Sequence, residues 1–250
     1  MTTSGDFLTE VTSRLARIAD QADDGPITEA AQMIAQSVIA GGVLRAFGTG
    51  HSEGFAMELC GRAGGLIPSS KIALRDVVVH GGRSAAELGG ATLERDPGVV
   101  DELFALHPHD PRDVYVIASN SGLNASVVGL GLKVREAGNP LIAVTSLEHT
   151  NRVAPRHPSG KRLCDLADVT IDNLAPFGDL TLTLGDHFNV GAVSSMTAAF
   201  IAQLITICVT KQLLAQGISP PLYISANIPE GDDHNNALLR AYDGRLRNDA

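Results

Sequence analysis

Tryptophan is absent from this sequence, and aromatic residues of all kinds make up only 4% of its 250 residues. Proteins that bind single-stranded nucleic acids stack the bases on aromatic side chains and hold the phosphates with Lys and Arg. Here acidic residues outnumber basic ones, and the formal net charge is −9. We therefore expect no nucleic-acid partner. A small phosphorylated ligand remains compatible with this charge, because it needs only a local pocket of hydrogen-bond donors.

Cysteine is also scarce, and Cys60, Cys164 and Cys208 lie far apart in the chain. Without a CxxC pair the sequence offers neither a zinc ribbon nor a dithiol motif, and the sparse, odd count is typical of reducing compartments. The amino terminus lacks the basic and apolar regions of a secretory signal, and the most apolar stretch, 196–209, is too short to span a bilayer. We expect a soluble cytoplasmic protein with no membrane partner and no cofactor.

Hydrophobic residues recur at helical spacing over the first forty residues, and then the pattern changes. From residue 41 short apolar strands alternate with helical segments. The predicted strands lie within 43–50, 113–122, 141–146 and 167–173, with a further candidate at 179–184, and the predicted helices are 53–63, 98–106, 124–137 and 194–216. This alternation predicts an α/β fold in which helices cover both faces of a mostly parallel sheet.

The chain contains no repeat, low-complexity tract or linker, so we predict a single domain over residues 1–250. Residues 1–40 form a helical extension, 41–216 the α/β core and 217–250 a carboxyl-terminal tail. The segment 75–112 is rich in glycine and histidine, and its composition fits an active-site loop and an ordinary surface excursion equally well.

Polar turns follow three of the predicted strands. Two of them, at 48–52 and 119–122, are rich in Gly, Ser, Thr or Asn and open a helix, while the third strand ends in Thr145-Ser146. Turns at the carboxyl ends of parallel strands aim backbone N–H groups and hydroxyls at one region, where helix N-termini add partial positive charge. An anion is the natural ligand, although the same residues are also common helix caps. The candidate binding residues are Gly50, His51, Ser52, Ser119, Asn120, Ser121, Thr145 and Ser146.

Nucleotide-binding loops are the main alternative interpretation of these turns. Gly48 and Gly50 begin a dinucleotide fingerprint, but Glu53 stands where its third glycine belongs. No strand ending in Asp or Glu follows about 20 residues later. The Walker pattern GxxxxGK[ST] is absent as well. We therefore predict neither a dinucleotide site nor a P-loop.

The order FGTGHS, helix, SNSGxNA, helix, LIAVTS resembles the sugar isomerase (SIS) domain, a phosphosugar-binding fold, over roughly residues 35–240. HPSGKRLCDLADVTIDN and SANIPEGDDHNNALL resemble one bacterial branch of single-domain SIS proteins. The resemblance implies a three-layer α/β/α sandwich, a homodimer or dimer of dimers, and sites at subunit interfaces. It also implies that Ser52, Ser119, Ser121 and Thr145 hold phosphate.

Candidate catalytic residues follow from the same resemblance. Glu58, in MELCGR, is similar to the catalytic Glu in the ELTGR run of phosphoheptose isomerases, and Glu94 lies in a region where etherases of N-acetylmuramic acid 6-phosphate carry a second Glu. His187 precedes the long helix, where phosphoheptose isomerases have a catalytic His. His234 lies in the tail, which the resemblance predicts to reach the site or a partner subunit and to open the sugar ring.

These residues favour an aldose–ketose isomerase that acts on a sugar phosphate or a similar anionic sugar, with Glu58 as the base and His234 or His187 at the ring oxygen. The alternatives are an etherase or lyase that uses Glu58 and Glu94, and a non-catalytic phosphosugar sensor. Asp232, Asp233 and His234 are adjacent and cannot all converge on one ion without distortion, so we predict no metal site. The apolar stretch 196–209 requires burial on most sides, by the sheet or by a second copy.

Overall fold

The computed structural model describes residues 3–90 and 92–247. Its centre is a five-stranded sheet in the order β2-β1-β3-β4-β5, in which every neighbouring pair is parallel. Two further strands form a separate antiparallel hairpin. The strands are β1 (Leu44–Gly48), β2 (Ser69–Ile72), β3 (Val114–Ala118), β4 (Leu141–Thr145), β5 (Val169–Asp172), β6 (Leu180–Leu184) and β7 (Phe188–Ala192).

Ten α-helices accompany these strands in the described part of the chain. They are α1 (Ser4–Ala19), α2 (Pro26–Ile39), α3 (Glu53–Leu59), α4 (Asp76–Val79), α5 (Thr92–Arg95), α6 (Val99–Leu106), α7 (Ala125–Glu136), α8 (Leu147–Arg152), α9 (Ser194–Ala215) and α10 (Gly231–Leu239). The expected helix over 53–63 ends at Leu59.

Side chains alternate between two cores along the parallel strands. In β3, Val114 and Val116 pack with α2, α3 and α9, whereas Tyr115 and Ile117 pack with α6 and α7. Strands that are buried on both faces need continuous apolar sequence, which VYVIA and LIAVT supply. The predicted three-layer α/β/α sandwich is confirmed.

The amino ends of β1 and β3 are joined by buried charges. Asp113, fully buried, accepts hydrogen bonds from Arg45 Nε at 3.0 Å and from the Val43 N–H at 2.8 Å. Arg245, near the end of the described chain, donates to Asp113 Oδ1 at 2.9 Å and to the Gly41 carbonyl at 2.6 Å. The carboxyl-terminal tail is thereby fixed to the end of the sheet opposite the serine turns.

Two elements differ from expectation. The strand at 179–184 pairs antiparallel with β7, which the sequence pattern did not reveal, and this hairpin stands outside the main sheet. Helix α9 extends beyond the apolar stretch 196–209 to 22 residues, so by length and composition alone it could cross a membrane, a test that the core helix of a soluble protein also passes. It packs against α2 and α3, and 44% of its most apolar 18-residue stretch is buried.

Candidate functional site

The turn between β1 and α3 is shaped by glycine. A Cβ at Gly48 would lie 2.2 Å from the Ser52 carbonyl oxygen, and Gly50 has a φ of +54°, so a larger residue is excluded at the first position and strained at the second. The Ser52 N–H donates to the Thr49 carbonyl at 3.0 Å, which closes a short 3₁₀ turn. His51 is left exposed and Ser52 half-exposed at the start of α3.

The turn between β3 and α7 is stabilised from within. Ser119 is 5% exposed, and its hydroxyl accepts the Gly122 N–H at 3.1 Å. Asn120 accepts a hydrogen bond from Asn173 Nδ2 at its side-chain oxygen, at 3.1 Å. Ser121 is half-exposed at the same turn. The side chain of Asn120 therefore ties the end of β3 to the residue that follows β5.

A small pocket lies at this carboxyl edge of the sheet, with the start of α9 as one wall. It brings together both predicted serine turns and residues from three other segments. Its lining is His51, Ser52, Ala118, Ser119, Asn120, Val144, Asn173, Ser194, Ser195 and Ala198. Hydroxyl and amide groups thus converge here from β1, β3, β5 and α9, while Val144 and Ala198 supply apolar contacts.

Three polar lining residues, Asn173, Ser194 and Ser195, are not among the predicted binding residues. Asn173 is the last residue of the predicted strand at 167–173 and directly follows β5, so the rule applied to the other strand ends could have found it. Ser194 and Ser195 begin α9, but they follow a strand that was not predicted, and nothing local marks them as facing the sheet. Only the packing of α9 brings them to the pocket.

Asp179 occupies part of the amino terminus of α9. Its carboxylate accepts the N–H groups of Val193 and Ser194, at 3.1 and 2.8 Å, and the Ser194 hydroxyl at 2.6 Å. The residue has a φ of +69°, which is uncommon for a non-glycine residue. Because Asp179 already satisfies these donors, an anion in the pocket depends mainly on Ser52, Ser195 and the two turns.

Thr145 and Ser146 are fully buried and bond within the protein. The Thr145 hydroxyl donates to the Asn120 carbonyl at 3.3 Å. The Ser146 hydroxyl donates to the Ala175 carbonyl at 2.6 Å and accepts the His149 N–H, which caps α8. These contacts support the neighbouring turns, and neither residue lines the pocket. Their predicted role in holding phosphate stays a prediction.

The segment 75–112, whose role the sequence left open, brings Glu94 against both turns. Its Oε1 accepts the Thr49 hydroxyl at 2.6 Å and Asn124 Nδ2 at 2.5 Å. Thr49 follows β1, and Asn124 is the residue before α7. The Glu94 carboxylate therefore links the turn after β1 to the turn after β3. Both groups that donate to its Oε1 are uncharged.

Glu58 lies on α3 and contacts α9. Its Oε1 accepts Gln203 Nε2 at 2.6 Å and also accepts a hydrogen bond from Arg62. It is six residues beyond Ser52, about 9 Å along a helix, and its side chain is 27% exposed. The guanidinium of Arg62 neutralises this carboxylate, in contrast to the uncharged partners of Glu94.

The two predicted catalytic histidines lie in other parts of the fold. His187 is exposed at the tip of the β6–β7 hairpin, next to Phe188, and β7 separates it from the long helix. His234 is exposed on α10, where its Nε2 bonds with the Leu222 carbonyl at 3.0 Å. Neither lines the serine pocket. Within this chain the structure does not bring them to the predicted site, and their ring-opening role stays a prediction.

A larger cavity of about 360 Å³ lies beside β2 and the carboxyl end of α3. Arg62, Lys71 and Arg75 are among its lining residues, and Glu53 pairs with the last two. Cys60 also lines it, but burial raises the pKa of its thiol to about 12. The thiol is therefore protonated near neutral pH and is not a nucleophile there.

Comparison with known proteins places this geometry in context. Residues 6–146 match the family model described as the SIS domain. A UPF0309 protein from Listeria monocytogenes is 36% identical over 88% of this chain and 89% of its own length. Another from Streptomyces avermitilis is 34% identical over 96% of this chain and 95% of its own.

Solved structures of similar fold include two phosphoheptose isomerases. The one from Neisseria gonorrhoeae has a TM-score of 0.52 and 18% identity, and it covers 84% of this chain and 100% of that chain. The one from Francisella tularensis has a TM-score of 0.52 and 16% identity over the same shares of the two chains. At these identities the likeness shows the fold.

Proposed function

This chain belongs to the SIS domain family, within the UPF0309 group, and on that premise we propose that it binds a sugar phosphate at the serine pocket and interconverts its aldose and ketose forms. The observation that carries the proposal is the convergence of Ser52, Ser119 and Ser195 on one pocket at the carboxyl edge of a parallel sheet. Open α/β sheets bind their ligands at this edge.

The hydroxyl and amide groups that line the pocket suit a phosphate, and in this proposal the sugar lies outside it. Hydroxyls and turn N–H groups donate hydrogen bonds to phosphate oxygens, and such bonds to a charged acceptor are stronger than neutral ones. The pocket is small, and two of its lining residues, Val144 and Ala198, are buried and apolar. The rest of the ligand then extends toward solvent, past the exposed His51 and half-exposed Ser52.

Isomerisation moves a proton between C1 and C2 of the sugar, so it needs a group that accepts the proton and returns it. Glu94 is the carboxylate that contacts both turns, through Thr49 and Asn124. Both contacts use Oε1, so Oε2 is available to the substrate. We assign the proton transfer to Glu94, and Glu58, which the sequence resemblance favours, is the competing base.

Hydrogen exchange in heavy water tests this assignment. The wild-type protein, incubated with a panel of aldose phosphates, should incorporate deuterium at C2 of one of them and form the ketose, as followed by NMR. Glu94→Gln removes the basic oxygen but keeps size and shape, so turnover should fall by at least ~10²-fold with little change in substrate affinity.

Glu58→Gln is the matched variant, because it makes the same chemical change on the other carboxylate. A smaller loss for Glu58→Gln than for Glu94→Gln supports the assignment. The reverse order would transfer the role of base to Glu58. Absence of exchange and product with every aldose phosphate that binds would refute the isomerase.

The second candidate is an etherase or lyase that acts on an amino-sugar phosphate. Its supporting observation is that Glu94, one of the two carboxylates it requires, lies at the turns. It predicts release of lactate from N-acetylmuramic acid 6-phosphate, with comparable losses for Glu58→Gln and Glu94→Gln. A lactate assay with both variants therefore separates it from the isomerase.

A further inference from the structure

The segment 80–98, which carries Glu94, lies on the surface and has almost no core of its own. Among its described residues only Leu93 is buried, at 4% exposure. The others are exposed, apart from four charged residues of intermediate burial: Arg83, Glu87, Glu94 and Asp96. A segment with so few buried apolar side chains gains little stability from packing, so its conformation depends on its polar contacts.

Arg83 connects the beginning of this segment with its end and with α6. Its Nε donates to both carboxylate oxygens of Glu102, each at 3.0 Å, and its Nη2 donates to Glu102 Oε1 at 2.5 Å. Its Nη1 lies 2.9 Å from Glu87 Oε2 and 2.7 Å from Asp96 Oδ2. One guanidinium, 21% exposed, therefore pairs with carboxylates at three points of the chain.

Two of these carboxylates also hold the backbone. Glu87 Oε1 accepts the Ser84 N–H at 3.0 Å, and Asp96 Oδ1 accepts the Gly98 N–H at 2.8 Å. The third carboxylate belongs to α6, a helix whose apolar side is buried in the core. Because the guanidinium is planar and keeps its charge, it fixes the geometry of all three partners. Arg83 thus anchors the segment to a buried helix.

Glu94 lies between two of the points that Arg83 holds, and two residues before Asp96. Its Oε1 accepts the Thr49 hydroxyl at 2.6 Å and Asn124 Nδ2 at 2.5 Å. Both donors belong to other parts of the chain, so these bonds form only while the segment stays in place. A displacement of about 1 Å is enough to take a catalytic group out of its productive geometry.

On the basis of the function proposed above, we propose that Arg83 is a positioning residue that keeps Glu94 against the two turns. None of the described residues of the segment lines the serine pocket, so phosphate binding does not require Arg83. Loss of Arg83 should therefore affect the proton transfer, which needs Glu94 in place, and should leave substrate affinity nearly unchanged.

Native-state hydrogen exchange measures whether Arg83 holds the segment, and it needs no substrate. Arg83→Met keeps an unbranched apolar stem but removes all the donors, so amides in 84–102 should exchange at least ~10-fold faster than in the wild type. Peptides from β1, β3 and α9 should be unchanged. Arg135→Met is the matched control, because it breaks a surface ion pair with Asp168 elsewhere and should leave 84–102 as in the wild type.

Faster exchange confined to 84–102 supports the anchoring role. Unchanged exchange in Arg83→Met would refute it. Exchange that accelerates equally throughout the sheet would show general destabilisation, and it would overturn a local role for Arg83 as well.

A double-mutant cycle on turnover measures whether Arg83 acts through Glu94. In the wild-type background Arg83→Met should lower kcat by at least ~10-fold with little change in KM. Arg83→Lys, which keeps the charge, should retain part of kcat. In the Glu94→Gln background Arg83→Met should have almost no further effect, because the base that Arg83 positions is already absent. A merely structural role would lower kcat in both backgrounds.

Equal losses of kcat in the two backgrounds, or a change confined to KM, would overturn the positioning of Glu94 by Arg83. Failure of the proposed isomerase is a different result, namely no turnover of any aldose phosphate by the wild-type chain. In that case the exchange measurement alone decides whether Arg83 anchors the segment, since it involves no reaction.

Discussion

The two ends of the parallel sheet use polar residues in opposite ways. At the amino end, Asp113 is fully buried and accepts hydrogen bonds from Arg45, Arg245 and the Val43 backbone. At the carboxyl end, Ser52 and Ser195 are on the wall of a pocket and have solvent access. Polar groups that satisfy one another stabilise the fold, whereas donors grouped around an open pocket are available to a ligand.

Polar residues that follow parallel strands at the carboxyl end of the sheet also differ from one another. Ser119 and Ser146 both follow parallel strands and are both buried, yet Ser119 lines the pocket, whereas the Ser146 hydroxyl donates to the Ala175 carbonyl. Position at a strand end is therefore insufficient evidence for a binding role. The deciding features are whether the residue lines the pocket and whether its hydroxyl proton is already donated within the protein.

The largest effect is expected at the amino end. Asp113→Asn leaves the buried guanidinium of Arg45 without its counter-charge, and breaking one partner of such a pair costs about 3–5 kcal/mol of unfolding free energy. Urea unfolding followed by circular dichroism measures this loss. Asp101→Asn removes an exposed partner of Lys133 and should cost at most about 1 kcal/mol. Equal losses for the two variants would contradict the contrast between the two ends.

A smaller effect, on affinity rather than stability, is expected at the carboxyl end. Ser52→Ala removes one donor to a charged ligand, which should weaken sugar phosphate binding by about 1.5–3 kcal/mol in calorimetry. Ser52→Asp should weaken it further because of like charge. The unfolding free energy should change little, since Ser52 is half-exposed. Unchanged affinity in both variants would exclude the pocket as the phosphate site.

The smallest effect concerns acid stability. Hydrogen bonds from the Arg112 side chain and backbone hold the pKa of Asp110 well below its usual value of 3.8. A lowered folded-state pKa adds stability above the unfolded-state pKa, and this stability is lost as the pH falls toward the folded-state value. The difference in urea midpoint between wild type and Asp110→Asn should therefore be largest near neutral pH and should shrink below about pH 4. A constant difference would contradict this cause.

Local sequence patterns were enough to predict the main parallel strands other than β2. VYVIA and LIAVT are continuous apolar runs followed by polar turns, and such short runs are typical of strands buried on both faces. Strand β2 was missed because SSKI has only one large apolar residue, and its place at the sheet edge depends on pairing with β1. The hairpin was missed because FNVGA looks like a loop until β6 lies beside it.

The candidate site likewise has a part that the sequence predicted and a part that it did not. The turns of Ser52 and Ser119 could be predicted, since the carboxyl ends of neighbouring parallel strands meet at one edge. The carboxylates could be named but not positioned, because Glu94 reaches Thr49 across 45 residues and Glu58 reaches Gln203 across 145. No local spacing determines such contacts.

The sequence by itself determined the alternation of strands and helices, the glycine-dependent turn at Gly48 and the grouping of serines at one edge of the sheet. These features depend on backbone sterics and on hydrophobic periodicity, which act over a few residues. Only the tertiary structure decided which serines line the pocket and which glutamate contacts the turns. Those outcomes depend on how α9 and the 75–112 segment pack, and packing is a property of the whole core.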